Sequence, residues 1–262
     1  MSLEKALGLV VRLQDFSETS QIATFLTDRF GKVSVIAKGS KRPKSMTGGA
    51  LDMLTLNEIV FSTSASGGLA TLREAHPLEQ FQGIRRSTAR YYAGLYIAEL
   101  AQLFGEGTEG ARGMYELAVS ALGALAEAGE QPDNITAYFE AGVLRESGLA
   151  PNLETCARCG GKVEGREGVR LSVADGGLLC GACRGGGELG RGSLAALKRL
   201  FEGKLRSVRR LRLRPEEWRE VKGILASFIV YNARRIPRML PRVWKGAEEA
   251  VARWAGGGAG AT

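Results

Sequence analysis

The chain has 262 residues, of which 44% are hydrophobic and 24% charged, with a formal net charge of +8 and a single histidine, His76. That length allows two domains with separate cores, and no run approaches the ~18 consecutive apolar residues of a membrane span. One histidine excludes HExxH metalloproteases and two-histidine iron sites, and a Ser-His-Asp triad would have to rest on His76 alone.

The opening Met1-Ser2-Leu3-Glu4-Lys5 lacks the layout of a secretory signal. With four cysteines and no export signal, the expectation is a soluble intracellular protein whose thiols bind metal or stay reduced. The first eighty residues pattern as strands: Leu7 to Leu13, Gln21 to Phe30, Val33 to Ala37, Leu51 to Ser62 and Leu69 to Ala75. Gly31-Lys32 makes one turn, and Ser64-Ala65-Ser66-Gly67-Gly68 makes a hairpin connection. Five short strands without an intervening helix fit an OB-fold barrel over 1–80, with an SH3-like barrel as the alternative.

From Phe81 the apolar period lengthens to helical spacing. Ile84, Thr88, Tyr91, Leu95 and Ala98 form one stripe, Tyr115, Val119, Leu122 and Leu125 a second, and Ile135, Tyr138, Phe139 and Val143 a third. Helical structure is predicted over 81–150 and again over 191–250. There Ser193 caps a helix ending before Gly203, and Pro215-Glu216-Glu217 opens a longer one. Trp218, Val221, Leu225, Phe228 and Ile229 of that helix read as core. The glycine-rich end, 251–262, is assigned to a disordered tail. The fold class is therefore α+β, a five-stranded barrel followed by a helical domain that a cysteine module interrupts.

That module, 151–190, carries the most specific pattern. Cys156-Ala-Arg-Cys159 and Cys180-Gly-Ala-Cys183 are two CxxC pairs with 20 residues between them. Each pair turns both sulfurs toward one ion, and Gly160, Gly161 and Gly181 permit tight knuckles. Val169 to Val173 alternates like a strand, and Asp175-Gly176-Gly177 turns back toward Leu178 and Leu179. This predicts a zinc-ribbon-like site of four cysteines, structural because all four positions are filled by sulfur. A redox dithiol or an iron-sulfur cluster are the alternatives, and neither pair opens a helix after a strand as a thioredoxin-like motif would.

Basic residues concentrate in two places. Between Lys32 and Lys44 lie five cations and no acid. Of these Lys38, Lys41, Arg42 and Lys44, with Arg12 on the first strand, are candidates for phosphate contacts beside the strand 2–3 face; Ser45 could add a hydrogen bond. A solvated loop is the competing interpretation. Residues 191–262 carry 17 Lys or Arg against 6 acids. Arg206, Arg209, Arg210 and Arg212 are candidates there for DNA or an acidic peptide, and pairing with the acidic 81–155 helices is the alternative. Arg210, Arg212 and Arg214 alternate with Leu211 and Leu213. Gly105-Glu-Gly107-Thr-Glu-Gly110 matches GxGxxG but follows a helical stripe and carries two acids, so it reads as a loop. His76, before Pro77 at the end of the fifth strand, reads as a structural boundary. No catalytic constellation stands out.

These residues also resemble the RecO family of bacterial recombination mediators. The resemblance rests on Val10 to Leu13, Phe16-Ser-Glu-Thr-Ser20, Phe25-Leu-Thr27, Phe30-Gly-Lys-Val33 and Ala37-Lys-Gly39 through Lys44-Ser45, and on the order barrel, helices, four cysteines, helices. It covers about 1–235. It implies an OB-fold that binds single-stranded DNA, zinc on Cys156, Cys159, Cys180 and Cys183, and no enzymatic turnover. It further implies a cytoplasmic, nucleoid-associated protein that anneals complementary strands. With RecR, and in some settings RecF, such a protein helps RecA replace SSB at gaps. The family's pocket for the SSB tail is expected in the helical domain, with no residue assigned. The rival readings are an OB-plus-zinc-ribbon RNA-binding factor of translation or transcription, and a zinc-stabilised nuclease or transferase.

Overall fold

A computed structural model describes residues 2–42, 51–63, 69–105, 111–127, 129, 131–163 and 169–255. Five strands form a closed barrel: β1 (Leu3–Asp15), β2 (Gln21–Thr27), β3 (Gly31–Ala37), β4 (Leu56–Ser62) and β5 (Ala70–Glu79). Their order is β1-β2-β3-β5-β4, closed by β4 against β1. β3 pairs with β5 in parallel, through Val35↔Ala70 and Ile36↔Thr71. That Greek-key arrangement is the OB-fold and sets aside the SH3-like alternative.

Alternate residues of each strand fill the interior, with Ala6, Val10, Ala23, Phe25, Val35, Ala37, Ile59, Phe61, Leu72 and Ala75 all buried. β1 can serve both neighbours because it is long: Leu3 to Leu9 pair with β4, and Gly8 to Asp15 with β2, with a register shift between Val10 and Arg12. β5 continues past the expected end at Ala75, so His76 lies within a strand, exposed, with Nε2 3.6 Å from Glu74. Pro77 is tolerated there because the register to β4 shifts beside it, between Leu56 and Asn57.

A 3-10 turn (Gln82–Arg86) leads into α1 (Thr88–Phe104), and α2 (Ala111–Ala126) follows. The α1 stripe is rotated from the expected one. Tyr91 and Leu95 are only half-buried, while Ala93, Gly94, Ile97, Leu100 and Ala101 face inward. Small residues decide this: a Cβ at Gly94 would lie 2.8 Å from Leu54 Cδ1, so the helix approaches closest on its Gly/Ala side. Val119 of the second stripe is likewise only half-buried, whereas Ile135, Tyr138, Phe139 and Val143 of the third are all buried.

The contacts divide the chain into compact units at Met1–Pro132 and Asp133–Thr262. The boundary falls inside the helical stretch that the sequence treats as one piece. The second unit begins with α3 (Pro132–Glu146), which is buried nearly all round. A small sheet of β6 (Arg170–Ser172), β7 (Gly177–Leu179) and β8 (Gly187–Glu188) follows, in the order β7-β6-β8. Five helices complete it: α4 (Arg191–Phe201), α5 (Leu205–Arg209), α6 (Pro215–Ala233), α7 (Leu240–Val243) and α8 (Ala247–Ala255).

Ser193 does not cap α4. Gly190 occupies that place, its N–H donating to Glu220 Oε2 at 3.2 Å, and Ser193 is buried in the first turn. α6 opens as expected, with Pro215 first and Arg214 N–H donating to Glu217 Oε2 at 3.0 Å. Among the described residues no helix is long and apolar enough to cross a membrane.

The expected tail at 251–262 is corrected in its first part. α8 runs to Ala255, with Val251 and Trp254 buried, and the rest lies outside the described residues. Trp254 fits two glycines: a Cβ at Gly187 would lie 2.6 Å from its ring and one at Gly223 3.2 Å from its Nε1. One indole thus joins β8 to α6. Trp254→Ala is expected to cost about 3 kcal/mol of stability and to open the 185–190 segment to protease. Urea melts and limited proteolysis would check both.

Candidate metal centre and nucleic-acid interface

The two CxxC pairs converge. All four sulfurs, of Cys156, Cys159, Cys180 and Cys183, lie within 4.8 Å of one another. A tetrahedral ion about 2.3 Å from each sulfur sets the sulfurs about 3.8 Å apart, and Cys159 Sγ lies 3.7 Å from Cys180 Sγ. The knuckles are shaped by their backbones. Gly160, at φ 71°, donates its N–H to Cys156 O at 2.8 Å, Cys156 N–H donates to Gly161 O at 2.8 Å, and Cys183 N–H to Cys180 O at 3.0 Å.

Electrostatics at the cluster favour a cation. Backbone hydrogen bonding at Cys180, against an opposing effect of burial, holds the Cys156 thiol down to about 6. Hydrogen bonding to Cys156, then burial, pushes the Cys183 thiol up to about 12. Four sulfurs this close share protons when alone; a cation lets all of them ionise. The donor set and its geometry therefore fit a metal ion, as the cysteine spacing predicts.

What the spacing did not reveal is the clasp around the cluster. Arg158, inside the first pair, holds Asp175 in the β6–β7 turn with Nε to Oδ1 at 3.1 Å and Nη2 to Oδ2 at 2.9 Å. It also donates to Arg184 O, just past the second pair, at 2.6 Å. Ser172 Oγ donates to the same carboxylate at 2.5 Å, and these hydrogen bonds, Arg158 first, keep the Asp175 carboxyl below its ordinary range. Arg170 donates to the carbonyls of Gly185 and Gly186 at 2.7 and 2.9 Å. An arginine between two cysteines beside an Asp-Gly-Gly turn was the only signal available.

On the barrel, Lys38, Lys41 and Arg42 are exposed where the chain leaves β3. This loop is bound to the β1–β2 hairpin. Lys41 N–H donates to Thr19 O at 3.1 Å, Gly39 N–H to Ser20 Oγ at 3.3 Å, and the buried Ser40 donates from Oγ to Gln21 Oε1 at 3.1 Å. Lys41 Nζ lies 2.9 Å from Asp15 Oδ2 and holds that carboxyl below its ordinary value, so part of its charge is compensated within the chain. Arg12 is exposed on β1, opposite Thr24, which in turn pairs with Ser34. Lys32 turns away from this group and donates to Gln102 O at 2.9 Å. Lys44 and Ser45 lie outside the described residues.

In the second unit Arg206 and Arg209 are on α5, Arg210 ends that helix in a turn, and Arg212 lies in the irregular segment that follows. The alternation expected there holds: Arg210, Arg212 and Arg214 are exposed, Leu211 is buried and Leu213 half-buried. The segment has no partner strand among the described residues. It is fixed instead by buried Asn134, whose Nδ2 donates to Val208 O at 3.2 Å and Leu211 O at 3.3 Å. Arg214 pairs with Glu217 at 2.8 Å, and Lys222 with Asp133 at 2.8 Å.

This architecture, an OB barrel followed by helices around a four-cysteine cluster, agrees with the sequence comparisons. A model described as "Recombination protein O N terminal" matches residues 1–81, and one described as "Recombination protein O C terminal" matches residues 85–240. The chain belongs to the RecO family. Similar proteins include the DNA repair protein RecO of Anaeromyxobacter dehalogenans strain 2CP-C, 35% identical over 239 residues, 90% of this chain and 93% of that one. The RecO of Symbiobacterium thermophilum is 28% identical over 240 residues, 90% of this chain and 94% of that one. The RecO of Rhodopirellula baltica is 35% identical over 179 residues, 68% of this chain and 66% of that one. Most of α7 and all of α8 lie past the C-terminal family match.

Arg158→Ala removes the clasp while leaving every sulfur in place. Metal loss to a competing chelator is expected to quicken about tenfold, followed by thiol release with a chromogenic reagent. An unchanged release rate would show that the knuckles hold the sulfurs unaided.

Proposed function

We propose that this RecO-family chain is a recombination mediator in DNA repair that acts by binding, not by turnover. Single-stranded DNA lies on the barrel with its phosphates on Lys38, Lys41, Arg42, Lys44 and Arg12, and Arg206, Arg209, Arg210 and Arg212 of the second unit are separate candidates for DNA phosphates. The observation that carries this reading is the exposed basic loop, hydrogen-bonded to the β1–β2 hairpin at the mouth of a closed OB barrel. Phosphates met by lysine and arginine give affinity without sequence preference, which a protein acting at any gap needs. Annealing follows when two screened strands are held near each other, without a covalent step.

Family membership supports the partners. RecR, and RecF in some settings, would work with this chain to load RecA, and the acidic tail of SSB would dock on the helical part. The metal is zinc, held by Cys156, Cys159, Cys180 and Cys183. With four sulfur ligands it has no open position for water and serves the fold, contributing on the order of 10 kcal/mol to this short segment.

The deciding experiment is the annealing rate of complementary oligonucleotides coated with cognate SSB. Acceleration by this chain that disappears with tailless SSB supports the mediator reading; binding of bare strands without acceleration overturns it. In direct titrations, removing charge at Lys38, Lys41 and Arg42 is expected to flatten the log-log salt dependence by roughly 0.7 per lost contact. Asp15→Asn, which frees Lys41, is expected to tighten binding. Elemental analysis should find one zinc per chain, and Cys156→Ala should unfold 150–190 while DNA binding falls only indirectly.

A further inference from the structure

Among the described residues of the barrel unit, Phe16 is the one Phe, Tyr or Trp that is largely exposed, at 59%, while Phe25 and Phe61 fill the core. An exposed phenyl ring adds nothing to that core, yet its backbone is closely held. Phe16 N–H donates to Ser20 O at 3.0 Å, Ser17 N–H donates to the same oxygen at 3.1 Å, and Ser20 N–H returns to Ser17 Oγ at 3.2 Å. The hairpin that presents the ring is therefore closed by its own hydrogen bonds.

The same hairpin is joined to the basic loop at four points: Thr19 O and Ser20 Oγ accept from the loop's backbone, Gln21 Oε1 accepts from Ser40, and Asp15 pairs with Lys41. In register, Asp15 stands opposite Gln21 and Gln21 opposite Ala37. Phe16 and Lys38 thus follow positions two strand spacings apart, about 10 Å. An exposed phenyl ring is thus carried on the same hydrogen-bonded hairpin that holds the basic loop.

We propose that Phe16 is a stacking platform for a base of the bound single strand, set next to the cations that take its phosphates. The inference rests on the DNA-binding reading above and adds the residue that engages bases. Stacking accepts any base, because every base has a π face, so it adds affinity without sequence preference. It also divides the labour at the site: the loop supplies the salt-dependent part of binding and Phe16 a part that salt leaves alone.

The test uses the full chain with oligo-dT and with the same strand carrying abasic sites. Phe16→Ala should bind oligo-dT about tenfold or more weakly with an unchanged salt slope. The wild-type preference for intact over abasic DNA should shrink in that variant. Phe16→Trp should bind like the wild type, and fluorescence in excess of the wild-type signal should be quenched by oligo-dT. Phe16→Leu, which keeps apolar bulk without an aromatic face, should behave like Phe16→Ala; thermal melts matching the wild type confirm that each variant is folded. If Phe16→Ala binds oligo-dT as the wild type does, the inference falls alone. If it loses affinity equally on intact and abasic strands, or lowers the salt slope, the ring acts by placing the lysines, and stacking is overturned. A wild-type chain that does not bind oligo-dT at all overturns the proposed function, and this inference with it.

Discussion

Closure of the barrel depends on a short parallel contact, Val35↔Ala70 and Ile36↔Thr71, between β3 and β5. Two residue pairs suffice because the flanking antiparallel ladders are long and the interior is filled from every strand. β3 itself ends at Ala37, opposite Gln21, the first residue of β2. Beyond Ala37 the chain has no further sheet partner, so its polar groups turn to the β1–β2 hairpin, and Lys38, Lys41 and Arg42 emerge at a defined place. The basic loop is thus a consequence of topology as much as of composition.

The second unit meets a different constraint. Its cysteine segment buries a small aliphatic cluster that includes Leu171, Val173, Leu178 and Leu179, but its sheet strands span only two or three residues each. Cohesion comes as well from the converging sulfurs, the Arg158–Asp175 clasp and Trp254 against Gly187. Each reaches across sequence: Arg158 meets a turn and a carbonyl near the second cysteine pair, and Trp254 returns from the last helix. The metal would close a framework whose other struts are already polar and aromatic contacts.

Charge is used differently in the two units. In the barrel, Asp15 tempers Lys41, so the loop is less positive than its count of cations suggests. In the second unit, Asn134 fixes the backbone at Val208 and Leu211 so that the alternating arginines face outward without a sheet to support them. Lys222 and Arg214, by contrast, are paired with Asp133 and Glu217. Of these two pairs, Lys222–Asp133 joins the basic end to α3, while Arg214 and Glu217 both belong to the basic end itself.

Much of this was legible in the chain itself. Period-two apolar runs predicted the barrel strands, the CxxC spacing predicted the sulfur cluster, and Pro215-Glu216-Glu217 predicted the start of α6, because each signal is local and its physics acts within a few residues. The misplacements came from contacts distant in sequence. Gly94 against Leu54 turned α1 away from its Tyr91–Leu95 stripe, Gly190, bound through its N–H to Glu220, took the N-cap place assigned to Ser193, and Trp254 drew 247–255 into the fold. The roles of Arg158 and Phe16 were hidden for the same reason, since a clasp and an exposed ring are defined by their surroundings. By itself the sequence determined the order of strands and helices, the four cysteines that converge and the sites of positive charge, all set by short-range pattern. Only the tertiary structure decided which faces pack and which cation is already paired, because both depend on residues that folding brings together.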